Sequence, residues 1–293
     1  MGLTFDPKLT YNQHINSTKD KSGKTINLLK VLTSTNWGKQ KETIITTYKT
    51  ITRPVIEYAS SVWSPIAANT NLNKLQVIQN SALRTATGCT ADTNQQHLHE
   101  ETLVLPVKNH LRLHASLLRQ KSQHSSHPLH SLIQNKNPPK TIRQSIFQNK
   151  NTYPHLIDNN PATITEETIK QNCKTIHTTA VQNYIQERQP NKILNQKAPT
   201  IDKSEESLPR RIRRTLAQIR TGKSPLLIAY KHKIDPHSYP TALCPLCKTE
   251  EHTTAHLFKC PQITTLLTPI DIWSNPVGAA ALLAVWEQRL AGP

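Results

Sequence analysis

Apolar positions along this chain recur at helical spacing, with little of the two-residue alternation that marks half-buried strands. Ser22 to Asn36 carries Ile26, Leu28, Leu29, Val31 and Leu32, with Trp37-Gly38 as a stop. Lys41 to Ile51 carries Ile44, Ile45, Tyr48 and Ile51 before Arg53-Pro54, a pair that predicts an interruption. Val55–Ala59 then leads into Val62-Trp63-Ser64-Pro65. Asn71 is the expected N-cap of a helix whose apolar face holds Leu72, Leu75, Ile78, Ala82 and Leu83, and Gly88 ends it. Leu105-Pro106 precedes another helix, with Leu111, Ala115 and Leu118 on one stripe. The short run Leu3–Phe5 is the one strand-like segment. Further on, Thr165 to Arg188 predicts a weak helix along Ile169, Cys173, Ile176, Ala180 and Tyr184. Leu208, Ile212, Leu216 and Ile219 predict a stronger one, closed by Gly222 and Ser224-Pro225. A last helix starts at Pro276, with Trp273, Val277, Ala281, Leu283 and Trp286 as apolar anchors that fold back on the chain or meet a partner.

The expected fold is therefore mainly α. Four segments follow from the pattern: a helical module at 1–120, a Pro/Asn/Gln-rich linker at 121–207 with its one weak helix, a basic helix at 208–235, and a small terminal unit at 236–293. Composition supports several small parts over one large core. Only 35% of the 293 residues are hydrophobic, against about 45–50% in an ordinary domain. There are 20 Pro and 7 Gly. The linker cannot bury enough apolar surface to offset its ordering entropy. No apolar run reaches the ~20 residues of a membrane span, and the first residues lack the apolar stretch of a signal peptide. The expectation is an intracellular protein, cytoplasmic or nuclear, without a membrane partner.

Charge sharpens the picture. Lys+Arg 36 against Asp+Glu 19 leaves a formal +17. Residues 208–235 hold 8 basic residues and 1 acidic, as large a surplus as the 14 and 7 of residues 1–120. Charge alone leaves two readings open: a polyanionic partner, or a basic chain with no specific partner. The candidate phosphate-contacting residues are Arg210, Arg211, Arg213, Arg214, Arg220 and Lys223. Clustered guanidinium forks suit phosphate oxygens; the alternative is an amphipathic helix with a solvated basic face.

The most specific motif is Cys244-Pro-Leu-Cys247, followed by His256 and Cys260. Two thiolates separated by two residues can hold one side of a tetrahedral ion, and a His and Cys four apart supply the other. Three Cys and one His complete the shell, so a Zn2+ here would be structural. Reduced thiols without metal, or a disulfide, are the alternatives, and His252 is a rival fourth ligand. Cys89 and Cys173 have no partner pattern. Seven of the 14 histidines fall between His97 and His130. The close pair His97 and His99 shows no converging second metal site, and solvated or internally bonded histidines are expected there.

The order of these pieces resembles the C-terminal portion of the reverse transcriptase encoded by jockey-type non-LTR retrotransposons. The resemblance rests on residues 3–10 with His14-Ile15, on Arg53–Ala59 with Val62–Pro65, and on Leu75–Arg84 with Thr87-Gly88. It continues through Leu216–Gly222, the Cys/Cys/His/Cys (CCHC) motif, Asp271–Trp273 and Pro276-Val277. It implies the end of the palm and a helical thumb that grips the template–primer duplex of RNA or DNA, followed by a zinc knuckle. This chain has three residues between His256 and Cys260, where related elements often have four. The resemblance implies RNA-directed DNA polymerase chemistry, with Mg2+ held by an Asp-Asp turn. No Asp-Asp pair occurs in the 293 residues. No catalytic residue is assigned, and the expectation is a truncated, nucleic-acid-binding fragment, inactive alone. The alternatives are an accessory part that works with a separate catalytic half, and a zinc-stabilised protein-interaction module.

Overall fold

The computed structural model describes residues 2–33, 38–131 and 165–291. Trp37 and residues 132–164 of the expected linker lie outside them. The described residues are mainly helical: α1 (Asn12–Val31), α2 (Lys41–Thr47), a π-helical turn (Tyr48–Thr52), α3 (Arg53–Glu57), α4 (Ser60–Trp63), α5 (Asn69–Thr87) and α6 (Gln95–Thr102) come first. Then follow α7 (Val107–Lys121), α8 (Glu166–Gln186), α9 (Arg210–Arg220), α10 (Ile228–Ile234), α11 (Asp271–Ser274) and α12 (Pro276–Ala291). Short 3-10 turns lie at Lys203–Ser207 and His256–Phe258. Only isolated bridges represent β-structure among the described residues, so Leu3–Phe5 forms no strand.

Contacts divide the chain into two compact units. The first comprises Met1–Asn27, Thr47–Ser81 and Leu105–Glu187. Its core joins Tyr11, Ile15, Ile56, Trp63, Leu75 and Leu111. A second cluster joins Leu105 and Leu113 to Ile176 and Ala180, which seats α8 on α7. Thr165 caps α8 by accepting from the Thr168 amide at 3.2 Å. The helix α1 begins ten residues before the expected Ser22. Its buried stripe runs Ile15, Thr18, Ser22, Ile26, and the small polar members hide the helical period from a hydrophobic count. Asp6 secures the approach to it, accepting from the amides of Thr10 (3.0 Å) and Tyr11 (2.7 Å).

Pro54 does not break its helix. A proline lacks an amide hydrogen and its ring collides with the carbonyl four residues back. The π turn resolves both: the Arg53 amide reaches back five residues to the Tyr48 carbonyl, and the chain continues into α3.

The second unit comprises Leu28–Thr46, Ala82–Val104 and Arg188–Pro293. Leu216 and Ile219 of α9, Leu257 and Phe258, Ile272 and Trp273 of α11, and Leu283 and Trp286 of α12 share one core. The C-terminal helix therefore packs inward. Trp273, Leu283 and Trp286 are buried as expected, whereas Val277 and Ala281 are on the outer face and Ala279, Ala280 and Leu282 take the inner positions. The helix α6, with Leu98 as its one large aliphatic residue, was invisible to periodicity; Asn94 caps it, accepting from the Gln96 amide at 2.9 Å.

Gly88 ends α5 with φ +72°, a left-handed conformation that favours glycine. A Cβ there would also stand 2.5 Å from Cγ of Arg214. Gly88→Ala should therefore lower stability by about 2 kcal/mol, seen as a reduced urea midpoint. A midpoint equal to wild type would remove this constraint on how α9 approaches.

Candidate metal centre

The segment from Leu243 to Cys260 builds a knuckle from its backbone outward. Leu243 and Glu251 form an antiparallel bridge. Inside it, the Cys244 amide donates to the Glu250 carbonyl at 2.8 Å, and the Lys248 amide donates to the Cys244 carbonyl at 2.8 Å. Lys248 takes φ +58° so that the chain turns back immediately after Cys247. On the opposite side, the 3-10 turn at His256–Phe258 and the Cys260 amide, donating to the His256 carbonyl at 3.0 Å, bring His256 and Cys260 to the same centre.

The Sγ atoms of Cys244, Cys247 and Cys260 and a ring nitrogen of His256 all lie within 4.8 Å of one another, a group that could hold a metal ion. Cys244 Sγ is 3.9 Å from Cys260 Sγ, and Cys247 Sγ is 3.4 Å from His256 Nε2. A tetrahedral ion with sulfur bonds of about 2.3 Å and a nitrogen bond of about 2.0 Å needs edges of roughly 3.8 and 3.5 Å. These two edges are therefore already at coordination spacing. His256 Nδ1 lies 3.1 Å from the Glu250 carboxylate, which holds the ring with Nε2 turned toward the three sulfurs. Sequence reasoning gave Glu250 no role, because a second partner of this kind has no fixed spacing.

Cys244, Cys260 and His256 are buried, and Cys247 is half-buried. A hydrogen bond from Thr249 Oγ1, at 3.2 Å, holds the Cys247 thiol down to about 6. Burial pushes Cys260 up to about 11. His252 points elsewhere: its Nδ1 accepts from the Ile228 amide at 3.0 Å and so fixes the start of α10. Burial brings its pKa down to about 4, and its ring lies 4.8 Å from that of Trp286. Trp286 Nε1 donates to the Leu257 carbonyl at 3.1 Å. The knuckle thus shares its interior with α9 and α12. Cys89 is buried, and burial raises its thiol to about 12.

The six basic residues of the α9 segment have different surroundings. Arg220 is 1% exposed. Its Nη1 meets both Glu101 oxygens at 3.2 Å, its Nη2 pairs with Glu205, and its Nε donates to the Ile272 carbonyl at 3.1 Å. Lys41 reaches Glu205 at 3.2 Å and Glu101 at 3.8 Å. Arg213, also buried, binds Glu42, with Nη1 at 2.9 Å from Oε2. Burial alone would raise the Glu205 carboxyl, yet Arg220 and Lys41 outweigh it and hold the group below its usual range. Arg210 donates to the carbonyls of Thr85 (3.0 Å), Ala86 (3.3 Å) and Lys39 (2.7 Å), capping the end of α5. Lys223 pairs with Asp92 at 2.9 Å. Arg214 is half-buried beside Gly88. Arg211 presents 64% of its side chain to solvent and touches Glu287 at 3.1 Å. Among the described residues, no helix is long and apolar enough to cross a membrane.

No family model and no solved structure matches the chain. It is similar to the probable RNA-directed DNA polymerase from transposon X-element of Drosophila melanogaster, 23% identical over 144 residues. That match covers 49% of this chain and 16% of the relative. It is also similar to the probable RNA-directed DNA polymerase from transposon BS of the same organism, 27% identical over 116 residues, 40% of this chain and 13% of the relative. The matched part is thus under a sixth or so of either relative's length, and the relationship to retrotransposon RNA-directed DNA polymerases is distant and partial.

Proposed function

We propose that the chain is a nucleic-acid-binding part of a jockey-type retrotransposon RNA-directed DNA polymerase, a helical thumb joined to a CCHC zinc knuckle. The observation that carries the reading is the spacing of four soft donors around one centre, in the same core as the arginine-rich α9. Three thiolates and an imidazole suit Zn2+, and four protein ligands leave no position for substrate. The ion would be structural: Cys244, Cys247, His256 and Cys260 would hold it, and Glu250 would orient His256. The reading assigns no catalytic residue to the chain, and the Mg2+ of polymerase chemistry would be held by carboxylates that are not among these.

The phosphate-binding face narrows once partners are considered. Arg213 and Arg220 are shielded from solvent by their carboxylates and have no access to a phosphate. Arg210 and Lys223 have partners within the fold. Arg211 and Arg214 remain as the outward members, and the exposed pair of Arg211 with Glu287 is weak enough to exchange for a phosphate. Binding of RNA or DNA should weaken steeply with salt, by close to one unit of log–log slope per phosphate contact on a duplex. Replacing Arg211 and Arg214 by alanine together should reduce that slope by about two units. Affinity that stayed flat between low and moderate salt would remove nucleic acid as the partner. An unchanged slope in the double variant would move the contact face away from α9.

A further inference from the structure

Histidines four apart on one helix project from the same face, and a carboxylate from a facing helix completes a three-donor set. Such a set stands in the first unit, apart from the CCHC knuckle. His110 and His114 lie on α7, and Glu57 ends α3. Both imidazoles turn Nε2 toward the carboxylate: His110 Nε2 is 2.5 Å from Glu57 Oε1, and His114 Nε2 is 3.6 Å from Oε2. One ligand atom from each residue falls within a common 4.8 Å. The two rings are 4.5 Å apart, centroid to centroid.

Arg53 is the neighbour that decides how the cluster behaves. Its Nε donates to Glu57 Oε1 at 2.6 Å, and its guanidinium lies against the His110 ring. The carboxylate therefore has one cation beside it already. Burial, with the charge of Arg53 adding to it for both rings, brings His110 and His114 below the usual imidazole range despite the pull of Glu57.

We propose that Glu57, His110 and His114 form a second binding site for a divalent transition ion, with Zn2+ as the ion of choice, and that Arg53 competes with it for Glu57. Bound there, the ion would tie α3 to α7 and keep a coordination position open for water, because the chain supplies three ligands where zinc takes four. A guanidinium that swings toward solvent as the ion enters would make the site weaker than the knuckle. It also gives the site a signature that ordinary surface histidines lack: removing Arg53 should strengthen binding.

The experiment is equilibrium dialysis of the full chain against micromolar free Zn2+, with metal per chain measured. Wild type should hold two ions, and His110→Ala and His114→Ala one each. Arg53→Gln should bind the second ion about tenfold more tightly, as expected for loss of one like charge a few ångströms away. Helical circular dichroism equal to wild type identifies the variants that have kept their fold, and Glu57→Gln, the smallest change, repeats the test if an alanine variant has not. One ion in wild type, two ions retained in the folded histidine variants, or Arg53→Gln binding no tighter than wild type would each overturn the proposal.

Discussion

Withdrawal of zinc from the full chain by a strong chelator should collapse the core around Trp286, with a loss of near-ultraviolet dichroism and a large fall in melting temperature. The magnitude follows from two scales. Structural zinc contributes on the order of 10 kcal/mol to small fingers at neutral pH, and an entire domain is stable by only about 5–15 kcal/mol. In this chain the coupling is direct, because Leu257 and Cys260 sit in one apolar cluster with Leu216, Ile219, Trp273 and Trp286. Without the ion, two deeply buried thiols, a buried imidazole and a half-buried thiol would be left close together with nothing to organise them. Cys244→Ser should reproduce the effect. Cys173→Ser, outside the cluster, should leave the metal at the knuckle in place. A melting curve unmoved by the chelator would show that the knuckle stands without zinc.

The second large effect is expected at Arg220. Arg220→Met keeps much of the side-chain volume but leaves Glu101 and Glu205 buried, with Lys41 as their nearest remaining cation. Removing one partner of a buried ion pair costs about 3–5 kcal/mol, because the other charge stays desolvated. The pH dependence has a definite sign. In wild type the Glu205 carboxyl is held below its unfolded value of about 4.3. Its contribution to stability is fully present above that value and is lost as pH falls through the lower, folded pKa. In Arg220→Met, burial dominates and raises the carboxyl, so the deficit should be greatest at neutral pH and shrink as the solution is acidified. Urea titrations at neutral and mildly acidic pH test both parts. A deficit under ~1 kcal/mol at neutral pH, or one that grew in acid, would contradict the network as described.

Helical class was legible because it rests on periodicity, and the apolar faces of α5, α7 and α9 follow the sequence pattern closely. The CCHC cluster was legible for a different reason: its ligands lie within 17 residues, and short spacing alone confines them. What escaped was set by polar groups. Thr18 and Ser22 occupy core positions of α1, and α6 carries a buried Glu101, whose partner Arg220 is 119 positions away. The arginines of α9 illustrate the same limit. Their clustering suggested one uniform basic face, yet whether each guanidinium meets solvent depends on carboxylates and carbonyls contributed by other segments. Glu57 with His110 and His114 was hidden likewise, since one member comes from a different helix. The histidines four apart were a visible signal, but the carboxylate that completes the set was not.

The π turn before Pro54 also sets a phase. At about 100° per residue, nine regular steps from Tyr48 would carry Glu57 to the opposite side of the helix, about 180° away. A turn that absorbs one residue subtracts one step and leaves about 80°. Tyr48 can then be buried while Arg53 and Glu57, close enough to influence its phenol, remain on the side that meets His110. A single imino acid thus acts as a gear tooth: it selects which face of the helix carries charge to α7, and a chain that ran through Tyr48–Thr52 as regular α-helix would turn that face away with every side chain unchanged.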